Sequence, residues 1–84
     1  MPEVHYLKTW TPFFKDIKNG IKNFEVRKND RRYKVGDTLI LEEFEPTTGK
    51  YTGAWIPKEI IYKLDDTCFV KEDFVILGLK DIKI

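Results

Sequence analysis

Three charged side chains near the start of a predicted strand, Lys22, Glu25 and Arg27, are well placed for chemistry in this sequence. Successive side chains of a strand point to opposite faces, so Glu25 and Arg27 share one face. Glu25 is a candidate acid or base, Lys22 is a candidate base, and Arg27 can hold a phosphate through two parallel bonds. The alternative is a solvated face whose charges pair and contribute only ~0–1 kcal/mol.

A basic run follows these residues directly. Five cations lie within positions 27–34, namely Arg27, Lys28, Arg31, Arg32 and Lys34. Such a run is typical of a solvated loop, but it is also suited to phosphate binding, with Tyr33 available to stack on a base. An acidic cluster, Glu42, Glu43 and Glu45, lies elsewhere in the chain, and this segregation favours a real phosphate-binding patch.

Trp10 precedes a predicted helix and is a candidate for stacking on a base, although packing at the edge of the core is the commoner role. Trp55 is predicted to be partly exposed. His5 and Cys68 are the single histidine and the single cysteine, so no zinc site of the usual spacing is expected. The pattern indicates neither a metal nor a cofactor.

The chain length of 84 residues predicts one domain over positions 1–84, and the net charge of +1 gives no whole-molecule argument for nucleic-acid binding. No apolar run approaches the ~20 residues of a membrane span, and no signal segment opens the chain. A lone cysteine fits a reducing compartment. We therefore expect a cytoplasmic protein with no membrane partner.

Hydrophobic spacing predicts one helix over roughly 12–19, capped by Thr11 and ended by Gly20. Its apolar face would contain Phe13, Phe14, Ile17 and Ile21. Strands are predicted over 5–8, 22–28, 38–45, 51–64 and 74–80, with Phe24 and Val26 facing the core. So many strands in a short chain favour a mainly β fold with one or two short helices, curled into a small barrel.

The pattern Gly20-x-Lys22-x-x-Glu25-x-Arg27 resembles the G-x-K-x-x-E-x-R signature of the ASCH superfamily, which is related to PUA domains. Residues 5–8, 24–31, 35–37 and 51–53 resemble a branch of short uncharacterised ASCH-like proteins of bacteria and phages. The resemblance implies a small PUA-like β-barrel, a cleft between the barrel and the helix lined by the signature residues, and RNA binding.

One ASCH group of similar size hydrolyses the amide of acetylcytidine with a lysine, a threonine and a glutamate. In this resemblance the lysine falls on Lys22, Glu25 occupies the threonine position, and Glu59 and Glu72 are the candidates for the glutamate. The threonine nucleophile is therefore missing from this chain.

Three functions remain open from the sequence. The first is an RNA- or nucleotide-binding module, in which Arg27, Arg31, Arg32 and Lys34 meet phosphates while Lys22 and Glu25 hold a base edge. The second is a small amidohydrolase acting on a modified nucleoside, with Lys22 as base and Glu25 as proton shuttle. The third is a protein-interaction barrel whose charges only solvate it.

Overall fold

The computed structural model describes residues 2–82, and these residues form five strands and a short helix. The mainly β class predicted from the sequence is confirmed. The strand over residues 38–45 has the predicted bounds, while the others differ by one or a few residues. The elements are β1 (Val4–Trp10), α1 (Thr11–Lys18), β2 (Phe24–Lys28), β3 (Thr38–Glu45), β4 (Lys50–Leu64) and β5 (Phe74–Asp81).

The five strands form one sheet that curls into a half-barrel. Its order is β1-β3-β4-β5-β2, with β1 parallel to β3 and the other neighbours antiparallel. β1 and β2 therefore lie at opposite ends of the sheet. Because α1 connects these two strands, the early part of the chain places both edges of the half-barrel beside the helix.

The core lies on the inner face of the curled sheet. Leu39 and Leu41 of β3, Ile60 of β4 and Leu77 of β5 are completely buried. The alternation of side chains along each strand brings these residues to one side. Trp55, on the outer face, is 60% exposed, as predicted.

Helix α1 packs only a narrow stripe against the sheet. Phe14 and Ile17 are buried, but Phe13 is half exposed and Ile21 is 74% exposed. The predicted four-residue apolar face is therefore wrong at two positions. Ile21 lies beyond the end of the eight-residue helix, and Phe13, in its first turn, lines a cleft described below.

The ends of α1 differ in how well the sequence predicts them. Trp10, and not Thr11, is the N-cap residue, and its side chain makes no capping bond. The Thr11 hydroxyl instead donates to the Phe44 carbonyl oxygen at 3.4 Å, which joins the helix to β3. At the other end Gly20 has a φ of +74°, the left-handed conformation predicted for the residue that ends the helix.

Strand β2 presents the opposite face to that predicted. Glu25 is 4% exposed, whereas Phe24 and Val26 are about half exposed, so the charged face is the inner one. Alternation shows which residues share a face, but it does not show which face is buried. The inner face of β2 lies at an edge of the half-barrel, where charged partners from neighbouring segments take the place of an apolar core.

No helical segment within residues 2–82 has the length and apolar character needed to cross a membrane.

Candidate functional site

Glu25 lies between two cations. Its Oε1 atom is 3.1 Å from the Lys22 ammonium, and its Oε2 atom accepts a bond of 2.8 Å from Arg27 Nε. The Glu25 side chain is 5% exposed, whereas Lys22 and Arg27 are 18% and 22% exposed. The predicted grouping of these three residues is therefore present, with the carboxylate inside and the cations nearer to solvent.

Two arginine side chains bridge the edges of the half-barrel. Arg27 Nη2 donates to the carbonyl oxygen of Lys8 at 2.8 Å and to the Thr9 hydroxyl at 3.2 Å. Arg31 Nη1 donates to the carbonyl oxygen of Tyr6 at 2.9 Å. We call the gap between β1 and β2 that these side chains cross the seam.

A cleft of about 440 Å³ opens at the seam beside α1. Its volume lies in the range of small-ligand sites. Trp10 and Phe13 are half exposed and form an aromatic wall. The cleft thus combines aromatic and charged groups, and its lining includes Thr9, Trp10, Phe13, Lys22, Glu25 and Arg27.

The two cations of the cleft have donors that protein groups do not use. The Lys22 ammonium donates to Glu25 and to the Phe24 carbonyl oxygen at 2.7 Å, which leaves one of its three N–H groups. Within residues 2–82, Arg27 Nη1 forms no hydrogen bond, which leaves two more donors. Three N–H donors therefore remain for an anionic or carbonyl-bearing ligand.

Three other cations of the basic run, Arg31, Arg32 and Lys34, line a second cavity of about 460 Å³, whereas Lys28 lines neither cavity. We call the second cavity the basic pocket. Lys63, which comes from β4, was missed by the sequence argument because it lies far along the chain from the basic run. The lining includes Asn29, Arg31, Arg32, Tyr33, Lys34 and Lys63.

Tyr33 cannot provide the stacking surface predicted for it. The residue is 2% exposed and belongs to the core, where its ring lies 4.9 Å from that of His5. Burial raises the pKa of the Tyr33 phenol above its usual 10.0, and the positive charges of Arg31 and Arg27 partly oppose this rise. Tyr33 therefore anchors the basic run and does not offer a face to a base.

Asp37 fixes the loop that carries the basic run. Its carboxylate accepts bonds from the amides of Glu3 and Lys34, each at 3.0 Å, and lies 2.9 Å from His5 Nε2. Burial raises the pKa of Asp37, but the bonds from Glu3, His5 and Lys34 outweigh this effect and lower the pKa below its usual 3.8. The loop is thereby tied to the start of β1.

Glu3, His5 and Asp37 also form a group whose ligand atoms lie within 4.8 Å of one another, the spacing of a metal site. Both oxygens of Asp37 already accept hydrogen bonds from this part of the chain. The group therefore has a structural role that needs no ion, because it joins β1 to the loop before β3.

The geometry does not assemble the machinery of the amidohydrolase alternative. Two hydrogen bonds, to Glu25 and to the Phe24 carbonyl oxygen, already occupy the Lys22 side chain. Glu59 faces Lys80 at 3.9 Å, and neither Glu59 nor Glu72 lines the cleft or the basic pocket. Of the residues proposed for the amidohydrolase, only Lys22 and Glu25 are in contact.

Two comparisons place the chain among known proteins. The model of a family described as a domain of unknown function (DUF3850) matches residues 4–79. A relative from Escherichia phage P2, an uncharacterised 12.9 kDa protein in the GpA 3′ region, is 36% identical over 77 residues. That match covers 92% of this chain and 68% of the phage protein. The resemblance to the ASCH superfamily stays a prediction.

Proposed function

We propose that this chain, which belongs to the family described as a domain of unknown function (DUF3850), binds a nucleotide in its cleft, either free or as a unit of RNA. The observation that carries this proposal is the set of three unused N–H donors on Lys22 and Arg27 beside the exposed rings of Trp10 and Phe13.

A nucleotide matches both parts of this lining. Its phosphate is an acceptor for ammonium and guanidinium groups, and Arg27 presents two donors in a fixed plane. Its base has a π-face that stacks on an aromatic side chain, as in proteins that bind single strands. We place the phosphate at Lys22 and Arg27, and the base against Trp10.

Glu25 supports this arrangement without being the main contact. Both of its oxygens already accept bonds from Lys22 and Arg27, and the side chain is buried behind them. The carboxylate therefore orients the two cations and offsets part of their charge. This role differs from the base-edge contact predicted for Glu25 from the sequence.

The two tryptophans provide a test. Trp10 lines the cleft, whereas Trp55 lies on the outer face of the sheet, so Trp55→Phe is a matched control for Trp10→Phe. We expect uridine monophosphate to quench tryptophan fluorescence in the parent protein and in Trp55→Phe, and to leave the fluorescence of Trp10→Phe unchanged. Uridine, which lacks the phosphate, should bind more weakly.

Affinity measurements by calorimetry quantify the same contacts. Since a stacked base contributes about 1–3 kcal/mol, Trp10→Ala should weaken binding between about fivefold and 150-fold. Lys22→Ala should remove most of the preference for the phosphorylated ligand. Equal quenching in the two tryptophan variants, or no binding of any nucleotide, would refute the proposal and leave the protein-interaction alternative. Turnover of an acetylated nucleoside that disappears in Lys22→Ala would favour the amidohydrolase instead.

A further inference from the structure

The basic pocket carries a strong excess of positive charge that the cleft does not use. Four cationic side chains line it, from Arg31, Arg32, Lys34 and Lys63, against the single carboxylate of Asp30. Within residues 2–82, the Arg32 and Lys34 side chains form no hydrogen bond or ion pair. Lys63 is 3.8 Å from the Asp65 carboxylate and is 30% exposed.

Arg27 and Arg31 connect the cleft and the basic pocket, respectively, to β1. Arg27, in the cleft, reaches the Lys8 carbonyl, and Arg31, in the basic pocket, reaches the Tyr6 carbonyl. These carbonyls are two residues apart on β1, a distance of about 7 Å along a strand. A chain of linked phosphates that begins in one cavity can therefore continue into the other.

The loop that carries the basic run is held in place before any ligand binds. The buried ring of Tyr33 anchors the middle of the loop, and the Asp37 carboxylate accepts a hydrogen bond from the Lys34 amide at the end of the loop. Arg31 is tied to β1. Ordering a mobile loop costs free energy on binding, so a fixed set of cations binds phosphates with a smaller penalty.

We infer that the basic pocket is a second subsite, which takes the backbone phosphates of a single-stranded oligonucleotide whose first nucleotide lies in the cleft. The inference rests on the proposed function of the cleft. It commits to a single strand because Trp10 and Phe13 stack only on bases that are not stacked in a duplex. RNA and single-stranded DNA both contain a phosphodiester backbone. Affinity measurements with RNA and DNA oligomers of the same sequence show which of the two the protein prefers.

Length dependence is the expected signature. Uridine monophosphate should occupy the cleft alone, whereas oligouridylates of two and four residues should also reach the basic pocket and bind at least about tenfold tighter at low salt. For single strands each neutralised phosphate adds about 0.7 to the slope of log K against log salt concentration. The tetramer should therefore show a clearly steeper salt dependence than the monomer.

The test compares three proteins by fluorescence anisotropy and calorimetry. They are the parent, the double variant Arg32→Ala/Lys63→Ala in the basic pocket, and Lys50→Ala, which removes an exposed lysine that lines neither cavity. The double variant should bind the tetramer at least about tenfold more weakly, with a salt slope lower by about 1.4, and should bind the monomer as the parent does. Lys50→Ala should match the parent for both ligands.

The outcomes separate this inference from the function of the cleft. If the monomer binds but the tetramer gains nothing, or if the double variant binds the tetramer as the parent does, the second subsite is refuted and the cleft proposal survives. If no nucleotide or oligomer binds, both are refuted. If the tetramer depends on Arg32 and Lys63 but not on Trp10, the basic pocket binds phosphates and the proposal for the cleft is wrong.

Discussion

Replacing Glu25 by glutamine removes the negative charge between Lys22 and Arg27 while keeping the size of the side chain. The change is expected to lower the stability of the fold and to raise the affinity for phosphate. It should destabilise the fold, because two cations held by one buried carboxylate lose their counter-charge. It should also strengthen phosphate binding, because the same cations then face the cleft without that neighbouring negative charge.

The loss of stability can be bounded from the structure. Removing one member of a fully buried ion pair costs about 3–5 kcal/mol. Lys22 and Arg27 are about one-fifth exposed and keep backbone acceptors at Phe24 and Lys8, so we expect about 2 kcal/mol. For a domain of this size that corresponds to a decrease in Tm of about 8–16 °C.

The gain in binding follows from Coulomb's law. A phosphate on the outer donors of Lys22 and Arg27 lies about two hydrogen-bond lengths, or ~6 Å, from the Glu25 carboxylate. Two unit charges at that distance repel by about 0.7 kcal/mol in water and about 3 kcal/mol at an effective dielectric constant of 20. Glu25→Gln should therefore bind uridine monophosphate between about threefold and 150-fold tighter at low salt, and less so at high salt.

Urea unfolding and calorimetry measure the two effects on the same samples. The matched control is Glu72→Gln, which removes one carboxylate from an exposed loop position and should change stability by less than about 0.5 kcal/mol. Unchanged stability of Glu25→Gln would refute the role of the carboxylate in holding the seam. Weaker nucleotide binding would refute the expected repulsion between Glu25 and the bound phosphate.

Three further substitutions test other parts of the structure. Asp37→Asn should lower stability by about 2–4 kcal/mol at neutral pH. Since bonding lowers the pKa of Asp37 below 3.8, its stabilisation is nearly complete above about pH 5 and is lost as pH falls, so the variant should show a flatter acid-unfolding curve than the parent. Arg27→Lys should cost about 1–3 kcal/mol, because an ammonium cannot reproduce the guanidinium's simultaneous bonds to Glu25, Lys8 and Thr9, and a urea midpoint equal to the parent's would contradict the bridge. Gly20→Ala should cost about 1 kcal/mol through its φ of +74°, with no effect on nucleotide affinity beyond that of unfolding.

The parts of the fold that depend on local pattern could be predicted from the sequence. β3 has the predicted bounds because turn residues flank its apolar run on both sides. Gly20 ends the helix as predicted because its position demands a left-handed backbone. These features are set by neighbouring residues, so one sequence is enough to find them.

The faces of β2 and the composition of the cleft could not be predicted in this way. Glu25 is buried because Lys22 and Arg27 pair with it, and Arg27 is positioned in turn by acceptors on β1. Phe13 has the spacing of a core residue, yet it lines the cleft. Each of these outcomes depends on which strand lies opposite, a property of the sheet order that local periodicity does not contain.

The seam has a further consequence for self-association. A strand at the end of a sheet exposes backbone groups that can pair with a strand from another molecule, and this is a route to aggregation. At β1 the guanidinium groups of Arg27 and Arg31 donate hydrogen bonds to the carbonyl oxygens of Lys8 and Tyr6, so an incoming strand has to displace both arginines. The same side chains that offer donors to a ligand therefore protect the edge of the sheet, and weakening them would reduce solubility together with binding.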